Sequence, residues 1–515
     1  QTCALPILPK KQINFILLKH TLVKCIRRID IDSFGEYNIV NRNLLNGGMR
    51  MFIGRERELT ALQNQYNSSK FEFTVIYGRR RVGKTAIINE FVKDKDVIYF
   101  TGVESNEKQN LENFSQSIMS YKSDLPQGSE FTSFQDALEF VFKLAQEKRI
   151  VLVIDEYPYV AKASKSLAST LQLMIDKHKD ASKLFLILCG SSMSYMEDHV
   201  LAYKAPLYGR RTAQLKVQPF EFMEACKHFP KFAAEDKAIA YGIVGGTPQY
   251  LLQLDDGLSI KENIKKIFLN PSSFLFEEPT NLLKQEVREP AIYNAIITAI
   301  ATGGTKLSEI SSKVGEDTSV CATYIRNLIS LGIVKKETPY GESSGRKTIY
   351  SIEDNMFRFW YRFVAENTSV ISRGADELAY KRIEPYLSDY MGAVFEDISK
   401  QHLWNELLND NCPVNFTDIG RWWGTNKKTR QQEEIDIMGV QDKTTVLFGE
   451  CKWTNEKVDL AVLEKLIERS ELFNYKNKHF YLFAKSGFTK CCIRKAEEMG
   501  NVRLVEYSEM LKEVK

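Results

Sequence analysis

Gly78, Gly83, Lys84 and Thr85 stand in the order G-x-x-x-x-G-K-T within FTVIYGRRRVGKT, Phe73 to Thr85, a spacing suited to holding a polyphosphate. The two glycines let the backbone turn its N–H groups inward around an anion with no Cβ in the way. A helix beginning near Lys84 adds the positive end of its dipole. Arg79, Arg80, Arg81 and Val82 fill the loop and Ala86 follows it, so Gly78 to Ala86 is expected to line a nucleotide. Lys84 would reach the β- and γ-phosphates of ATP, and the Thr85 hydroxyl would ligate Mg²⁺.

A second set lies downstream. Asp155 and Glu156 end the apolar run IVLVI, which gives Asp155 the place of a Mg²⁺-holding carboxylate and Glu156 that of a general base for the attacking water. Ser191 or Ser192, after LFLILC, sits where a polar side chain could sense the γ-phosphate, although small polar residues after a strand are also ordinary turn formers. Arg210 and Arg211 are either a phosphate contact, in cis or in trans, or a surface pair.

The third set is nearer the C-terminus. Asp436 in EIDIMGV and Glu450 in VLFGECK lie 14 positions apart. Two antiparallel strands joined by a turn at residues 441–443 would bring them to one sheet edge. Two convergent carboxylates suit a divalent metal, and Lys452, on the same strand face as Glu450, could orient water.

Elements must exist to place these groups. Continuous apolar strands are expected at 73–77, 97–100, 150–154 and 184–189, separated by helical stretches, which indicates a parallel sheet covered on both faces with ligands at the strands' carboxyl ends. FIGRERELTALQNQY, with Gly54-Arg55 before it turns helical, is expected beside the base. From Pro219 to about Glu286 the pattern is helical, broken by Gly245-Gly246-Thr247-Pro248. Helices at 291–301, 307–314 and 319–331 precede strands at 333–336 and 348–352, the outline of a winged helix-turn-helix in which Arg326, Lys335, Arg346 and Lys347 would meet DNA backbone, or else of a protein-packing module. NMFRFWYRFV reads as an aromatic helix buried between domains. Beyond it a helix at 390–408, strands at 414–419, 434–440 and 445–452, a helix at 458–473 and a strand at 479–484 form a last α/β domain. There Lys427, Lys428 and Arg430, near Trp422 and Trp423, make either a strand-contacting loop or a solvated turn.

Taken together, FIGRERE, GRRRVGKT, LVIDEYPY, LCGSS, LYGRR and GGTPQYLL resemble the archaeal-type ATPases of the signal-transduction class, a branch related to the AAA+ proteins, over about residues 51 to 285. The resemblance implies an ATPase core with a helical lid that brings Gly246 to Pro248 near the adenine. The last domain resembles the PD-(D/E)XK nuclease fold found at the carboxyl end of the same family, which implies Glu396 as an additional helix-borne acid beside Asp436, Glu450 and Lys452; Ile435-Asp436 replaces the family's proline-aspartate.

Length and composition agree with a multidomain α/β chain. At 515 residues roughly three to four domains are expected, drawn as an ATPase core at 49–218, a lid at 219–287, a winged helix at 288–352, an aromatic connector at 353–385 and a nuclease-like, restriction-endonuclease-type domain at 386–515. Residues 1–48 are set apart as a non-native or disordered extension, because QTCALPI looks like translated adapter sequence and Gly47-Gly48 precedes Met49; a genuine amphipathic arm is the alternative. The net charge of +4 requires any nucleic-acid surface to be local. Nine scattered cysteines and six scattered histidines argue against a disulfide framework or a zinc cluster and fit a reducing cytoplasm. No segment is apolar enough for a membrane span. The expected function is an ATP-hydrolysing switch that controls a DNA-binding, metal-dependent nuclease-like region, the alternative being a non-cleaving regulatory or scaffold ATPase; self-association is left open.

Overall fold

The computed structural model describes residues 52–122, 130–342, 345–427 and 429–514. The expected 1–48 extension, Lys428 and the side chain of Arg346 lie outside the described residues. Residues 54–515 form one compact unit; of the unit before it only Phe52 and Ile53 are described, neither in regular structure.

Five strands build the first sheet: β1 (Glu72–Tyr77), β2 (Val97–Thr101), β3 (Ile150–Asp155), β4 (Leu184–Gly190) and β5 (Ala213–Lys216). They are parallel in the order β2-β3-β4-β1-β5. Strands β3 and β4 are buried at every residue, as strands covered on both faces must be. Burying β-branched and aromatic side chains on both sides contributes roughly 1.5–3 kcal/mol for each large one, and that is what fixes these strands. Strand β5 escapes the sequence reading because it is a short edge strand whose AQLK alternates half-buried and exposed. The phosphate loop leaves β1 and enters helix α1 (Lys84–Val92), so the loop sits at the carboxyl edge of the sheet between β3, β4 and the lid.

The lid is helical as expected, with α2 (Phe222–Cys226), α3 (Ala234–Val244), α4 (Pro248–Leu251), α5 (Ile260–Ile267) and α6 (Phe274–Glu286). Gly246 is forced: a Cβ there would stand 1.7 Å from the Phe220 carbonyl oxygen. Helices α7 (Pro290–Ala301), α8 (Leu307–Val314) and α9 (Thr318–Ser330) lead into an antiparallel hairpin, β6 (Val334–Glu337) and β7 (Ile349–Ile352).

The aromatic segment is α-helical over Asn355–Phe359 and π-helical over Trp360–Val364. Met356, Phe357, Phe359, Trp360, Tyr361, Phe363 and Val364 are all buried in the cluster that joins the lid, the hairpin and the last domain. The helix expected at 390–408 starts earlier: helix α10 runs through Pro385 as one element, Asp376–Leu408. Pro385 is exposed, so the carbonyl it leaves without an N–H donor faces water, which lowers the usual cost of an internal proline. The connector and last domain therefore share an element.

The C-terminal sheet runs β12-β11-β10-β9-β8, with β8 (Ile419–Thr425), β9 (Gln432–Val440), β10 (Thr445–Lys452), β11 (Asn477–Ala484) and β12 (Val502–Glu506). The expected strand at 414–419 is corrected: the strand begins at Ile419 and carries Trp422 and Trp423. The polar residues Asn415, Thr417 and Asp418 supply turn chemistry instead of a pleated face, with the Asp418 carboxylate accepting from the Ile419 N–H. Pairs β8–β9 and β9–β10 are antiparallel, while β10, β11 and β12 are parallel. Helix α11 (Leu460–Ser470) packs on this sheet.

Candidate active site

The phosphate loop is a backbone cradle. Gly83 adopts φ 93°, a left-handed conformation that costs a side chain but not glycine, and a Cβ on Gly78 would stand 2.5 Å from the Val217 carbonyl oxygen. The Lys84 ammonium is buried and donates to the Gly78 and Arg79 carbonyls at 3.0 and 3.1 Å. It thus spans the loop from within. Pro248, at the start of α4, lies 3.6 Å from where a Gly83 Cβ would be, so the lid's Gly-Gly-Thr-Pro turn does reach the loop.

Beside Lys84 the Thr85 hydroxyl donates to Asp155 Oδ2 at 3.0 Å, and Tyr99, from β2, donates to the same oxygen at 2.9 Å. A hydroxyl and a buried carboxylate at the loop's mouth are the hard oxygen donors Mg²⁺ takes, so the residues present fit that ion. Tyr99 was not singled out by the sequence, where it reads only as part of a buried strand.

Glu156 is next, in a left-handed conformation at φ 49° and ψ 40°. That backbone costs a non-glycine residue of order 1 kcal/mol and turns the side chain toward β4. There Glu156 Oε2 accepts from the Ser191 hydroxyl at 2.9 Å and its N–H at 3.4 Å. Burial first, then the neighbouring Asp155, push the Glu156 carboxyl above its ordinary value; Lys84, the Ser191 bond and Arg80 pull the other way. A base with raised proton affinity is what water activation near neutral pH asks for. Of the two serines considered, Ser191 meets the acid.

The loop arginines do something the motif did not predict. Arg79 is buried and donates to Thr247 at 3.0 Å and to Asp354 at 2.5 Å, just past the β6–β7 hairpin. Arg80 donates to Glu286 at 3.1 Å and to the Tyr159 hydroxyl at 2.8 Å. Arg81 pairs with the fully buried Glu278, which also accepts from Tyr250 at 2.6 Å. Their side chains tether the lid and hairpin, while their backbone remains in the cradle. No sequence spacing could supply this, because Glu278, Glu286 and Asp354 are each about 200 or more residues from the loop. Arg55 donates to the Val82 carbonyl at 2.9 Å and lies 4.1 Å over the Phe220 ring. Gly54 and Arg55 both have positive φ, and this turn flanks the loop. Ala86 is exposed on α1.

Arg210 is not brought to the loop. It makes a two-bonded pair with Asp176 on the surface, at 3.0 and 2.7 Å.

In the C-terminal sheet the β9–β10 register runs from Val440 opposite Val446 to Ile437 opposite Gly449, which leads directly to Asp436 and Glu450. Asp436 Oδ2 accepts from the Cys451 N–H at 2.8 Å. Lys452 donates to Glu450 at 2.8 Å, on the face the alternation predicts. Burial, and then the neighbouring Asp436, raise Glu396 on α10 to about 7; burial, and then Glu450, raise Asp436 to about 6. Glu450 is not free, however. Arg469, on α11, donates to both its oxygens at 3.1 and 3.4 Å and bridges to Glu433 at 3.1 Å. Among the described residues no three His, Cys, Asp or Glu side chains gather closely enough to hold a metal ion. The expected Asp436–Glu450 metal pair therefore fits a metal poorly in this arrangement, because cations already occupy the Glu450 oxygens.

The basic positions assigned to DNA separate. Arg326 is on the surface of α9, where it bonds Thr323, and Lys347 pairs with Glu342. Lys335 is corrected: it is largely buried against Asp397 at 3.4 Å and Glu337 at 3.6 Å. Tyr340, at the hairpin's tip, seats on the C-terminal sheet, its N–H donating to the Arg421 carbonyl at 2.9 Å and its hydroxyl to the Asp418 carbonyl at 3.1 Å. Lys427 and Arg430 lie in the exposed turn between β8 and β9.

Residues 52–254 match an ATPase domain found predominantly in Archaea, and residues 360–463 match a family of archaeal and bacterial proteins of unknown function. An uncharacterized protein of Methanocaldococcus jannaschii, MJECL04, is 35% identical over 409 residues, 79% of this chain and 88% of that protein. An uncharacterized ATP-binding protein of the same organism, MJ0423, is 42% identical over 50 residues, 10% of this chain and 85% of that one. Among solved structures, the Walker-type ATPase PABY2304 of Pyrococcus abyssi is similar at 19% identity and TM-score 0.47, over 60% of this chain and 96% of that one. Among the described residues no helix is long and apolar enough to cross a membrane.

Proposed function

This chain belongs to the archaeal-type P-loop ATPase family it shares with its Methanocaldococcus jannaschii relative, and from that premise we propose a cytoplasmic, ATP-driven switch whose loop sets the posture of a nucleic-acid-binding C-terminal region. The observation that carries the switch is the 2.5 Å bond from Arg79, inside the phosphate loop, to Asp354, the residue that follows the hairpin. Arg80 and Arg81 hold the lid by Glu286 and Glu278 in the same way. Loop, lid and hairpin then share one set of buried ion pairs, and any adjustment of the loop around phosphate is felt by all three.

In the hydrolytic step the loop N–H groups and Lys84 bind the β- and γ-phosphates, and Thr85 with Asp155 would hold Mg²⁺, which neutralises phosphate charge when bound. Glu156 orients water and accepts its proton at Oε2, the oxygen now bonded to Ser191. A carboxylate accepts several hydrogen bonds at once, so Ser191 can orient the base while it holds water.

Hydrogen exchange tests the switch. ATP with Mg²⁺ should alter protection of residues 349–364 in the wild type, and Asp354→Asn should bind ATP yet lose that response. A wild type whose exchange there ignores nucleotide would end the reading.

A second reading is favoured by Asp436 and Glu450 meeting across β9 and β10 with Lys452 beside them: a metal-dependent DNA nuclease, held closed while Arg469 occupies Glu450. Plasmid and single-stranded DNA incubated with Mg²⁺ or Mn²⁺ should be cut by the wild type and not by Asp436→Ala. Equal background cutting by both leaves a non-cleaving regulatory or scaffold ATPase.

A further inference from the structure

A cleft of about 210 Å³ opens where the hairpin, the aromatic connector, helix α10 and strand β8 converge. Its cations are Lys335, Arg358, Arg362, Lys400 and Arg421. Its acids are Glu337, Glu396 and Asp397. Four separate elements thus send positive charge to one place, which surface lysines on a single helix would not do.

The cations are incompletely matched. Arg358 donates through Nε and Nη2 to the Ile352 carbonyl, at 3.0 and 2.8 Å, and reaches Asp397 at 3.4 Å. Its Nη1 is buried with no hydrogen-bond partner. Lys400 stands 3.9 Å from Glu396, beyond hydrogen-bond length. Arg362 and Arg421 also face Asp389 and Glu434, which lie outside the lining, and Asp389 is 76% exposed, where such a pair is worth little. Asp397 and Glu337 are both engaged inside: burial would raise each, yet Lys335, Arg358 and Lys400 hold Asp397 well below the usual carboxylate range, and Lys335, a Ser351 hydrogen bond and Lys400 lower Glu337.

Size narrows the occupant. Pockets for whole drug-sized ligands run about 300–1,000 Å³, so this cleft suits a single anionic group. Guanidinium and ammonium groups lining one cleft suit tetrahedral phosphate oxygens.

We propose that this cleft binds a phosphate group, carried by a small phosphomonoester or by the 5′ end of a nucleic-acid strand. The site stands apart from the phosphate loop and does not depend on Asp436 or Glu450 performing any cleavage. Because the hairpin supplies Lys335 and the α10 helix supplies Lys400, an occupied cleft pins the hairpin to the C-terminal domain.

The test uses the full chain carrying Lys84→Ala, so that the phosphate loop does not report. Inorganic phosphate is titrated calorimetrically, and a single-stranded oligonucleotide with a 5′-phosphate is compared with the same strand ending in a 5′-hydroxyl. Lys400→Ala/Arg421→Ala should weaken phosphate binding at least tenfold while the chain still melts in one cooperative transition. The single substitution Arg362→Ala, whose partner Asp389 is exposed, gives a second reading should the double variant fold poorly. A 5′-phosphate preference that disappears in these variants identifies the strand end as the source; loss of inorganic phosphate binding alone identifies a small phosphomonoester. Phosphate and both strands binding the variants as tightly as their parent would overturn the site.

Discussion

Two clusters of carboxylate and lysine sit at the edges of two sheets in this chain, and they are held in opposite ways. At the phosphate loop the acids lean on hydroxyls: Asp155 accepts from Thr85 and Tyr99, and Glu156 from Ser191. Each of those bonds is neutral at the donor and can be exchanged for a metal or water at small cost. In the C-terminal sheet Glu450 leans on two cations, Lys452 and Arg469, and releasing it means parting a buried carboxylate from two partly exposed charges. The same residue types therefore make a poised site in one place and a latched one in the other.

The sharpest break in this contrast is at the poised site. Glu156→Gln keeps the Ser191 geometry and removes the base, so ATP turnover should fall by about 10²–10⁴ while nucleotide affinity is kept. Lys84→Ala should instead weaken nucleotide binding about 100-fold, the worth of one or two charge-assisted bonds. Fluorescent-nucleotide titration beside a phosphate-release assay separates the two, and unchanged ATP affinity in Lys84→Ala would remove the central assignment.

The tethers come next. Arg79 and Asp354 are both buried, with side chains 5% and 6% exposed, and removing one partner of such a pair costs about 3–5 kcal/mol. Asp354→Ala should lower the denaturation midpoint more than the double variant Arg79→Ala/Asp354→Ala does, since the latter leaves no stranded charge. Additive losses would mean that the pair is not a coupled link between loop and hairpin.

The two clusters also differ in how far they can be read from sequence. Glycine spacing, Lys84 and Thr85 are contiguous, and Asp155 follows an unmistakable buried strand, so local pattern alone gives the poised site. At the latched site Asp436, Glu450 and Lys452 follow from strand alternation and a short turn. What escaped was their restraint: Arg469 and Glu433 come from a helix face and a strand end whose charges look like any solvated pair. The loop arginines escaped for the same reason in stronger form, because a motif that is basic and next to phosphate invites a phosphate role, and only the tertiary fold supplies Asp354, Glu278 and Glu286. The helix expected from residue 390 begins at Asp376 instead, carrying the exposed Pro385 within it.

Protonation sharpens the latched side. Glu396 has its folded value raised to about 7 against an ordinary 4.5, so its favourable contribution is complete below pH 4.5 and is lost as pH rises through 7. Ionisation should cost up to about 3 kcal/mol, in part shared with Asp436. Glu396→Gln should accordingly flatten the fall in stability between pH 5 and pH 8, read as the urea midpoint at each pH. A variant that keeps the wild-type slope would place the buried proton elsewhere.

The smallest effect is expected at Arg210. It was a candidate for transition-state charge in cis or in trans, yet it is two-bonded to Asp176, which is 43% exposed, and an exposed pair of this kind contributes about 0–1 kcal/mol. Arg210→Ala should change stability by no more than that and leave turnover within about twofold of wild type, whereas an arginine that stabilises transferring phosphate is worth 10³ or more. Because a residue acting in trans would be silent in dilute protein, turnover must be followed over a hundredfold range of chain concentration. A rate per chain that climbs with concentration in the wild type and stays flat in Arg210→Ala would turn the surface pair into a contact between copies, and would add a second subunit to the poised site.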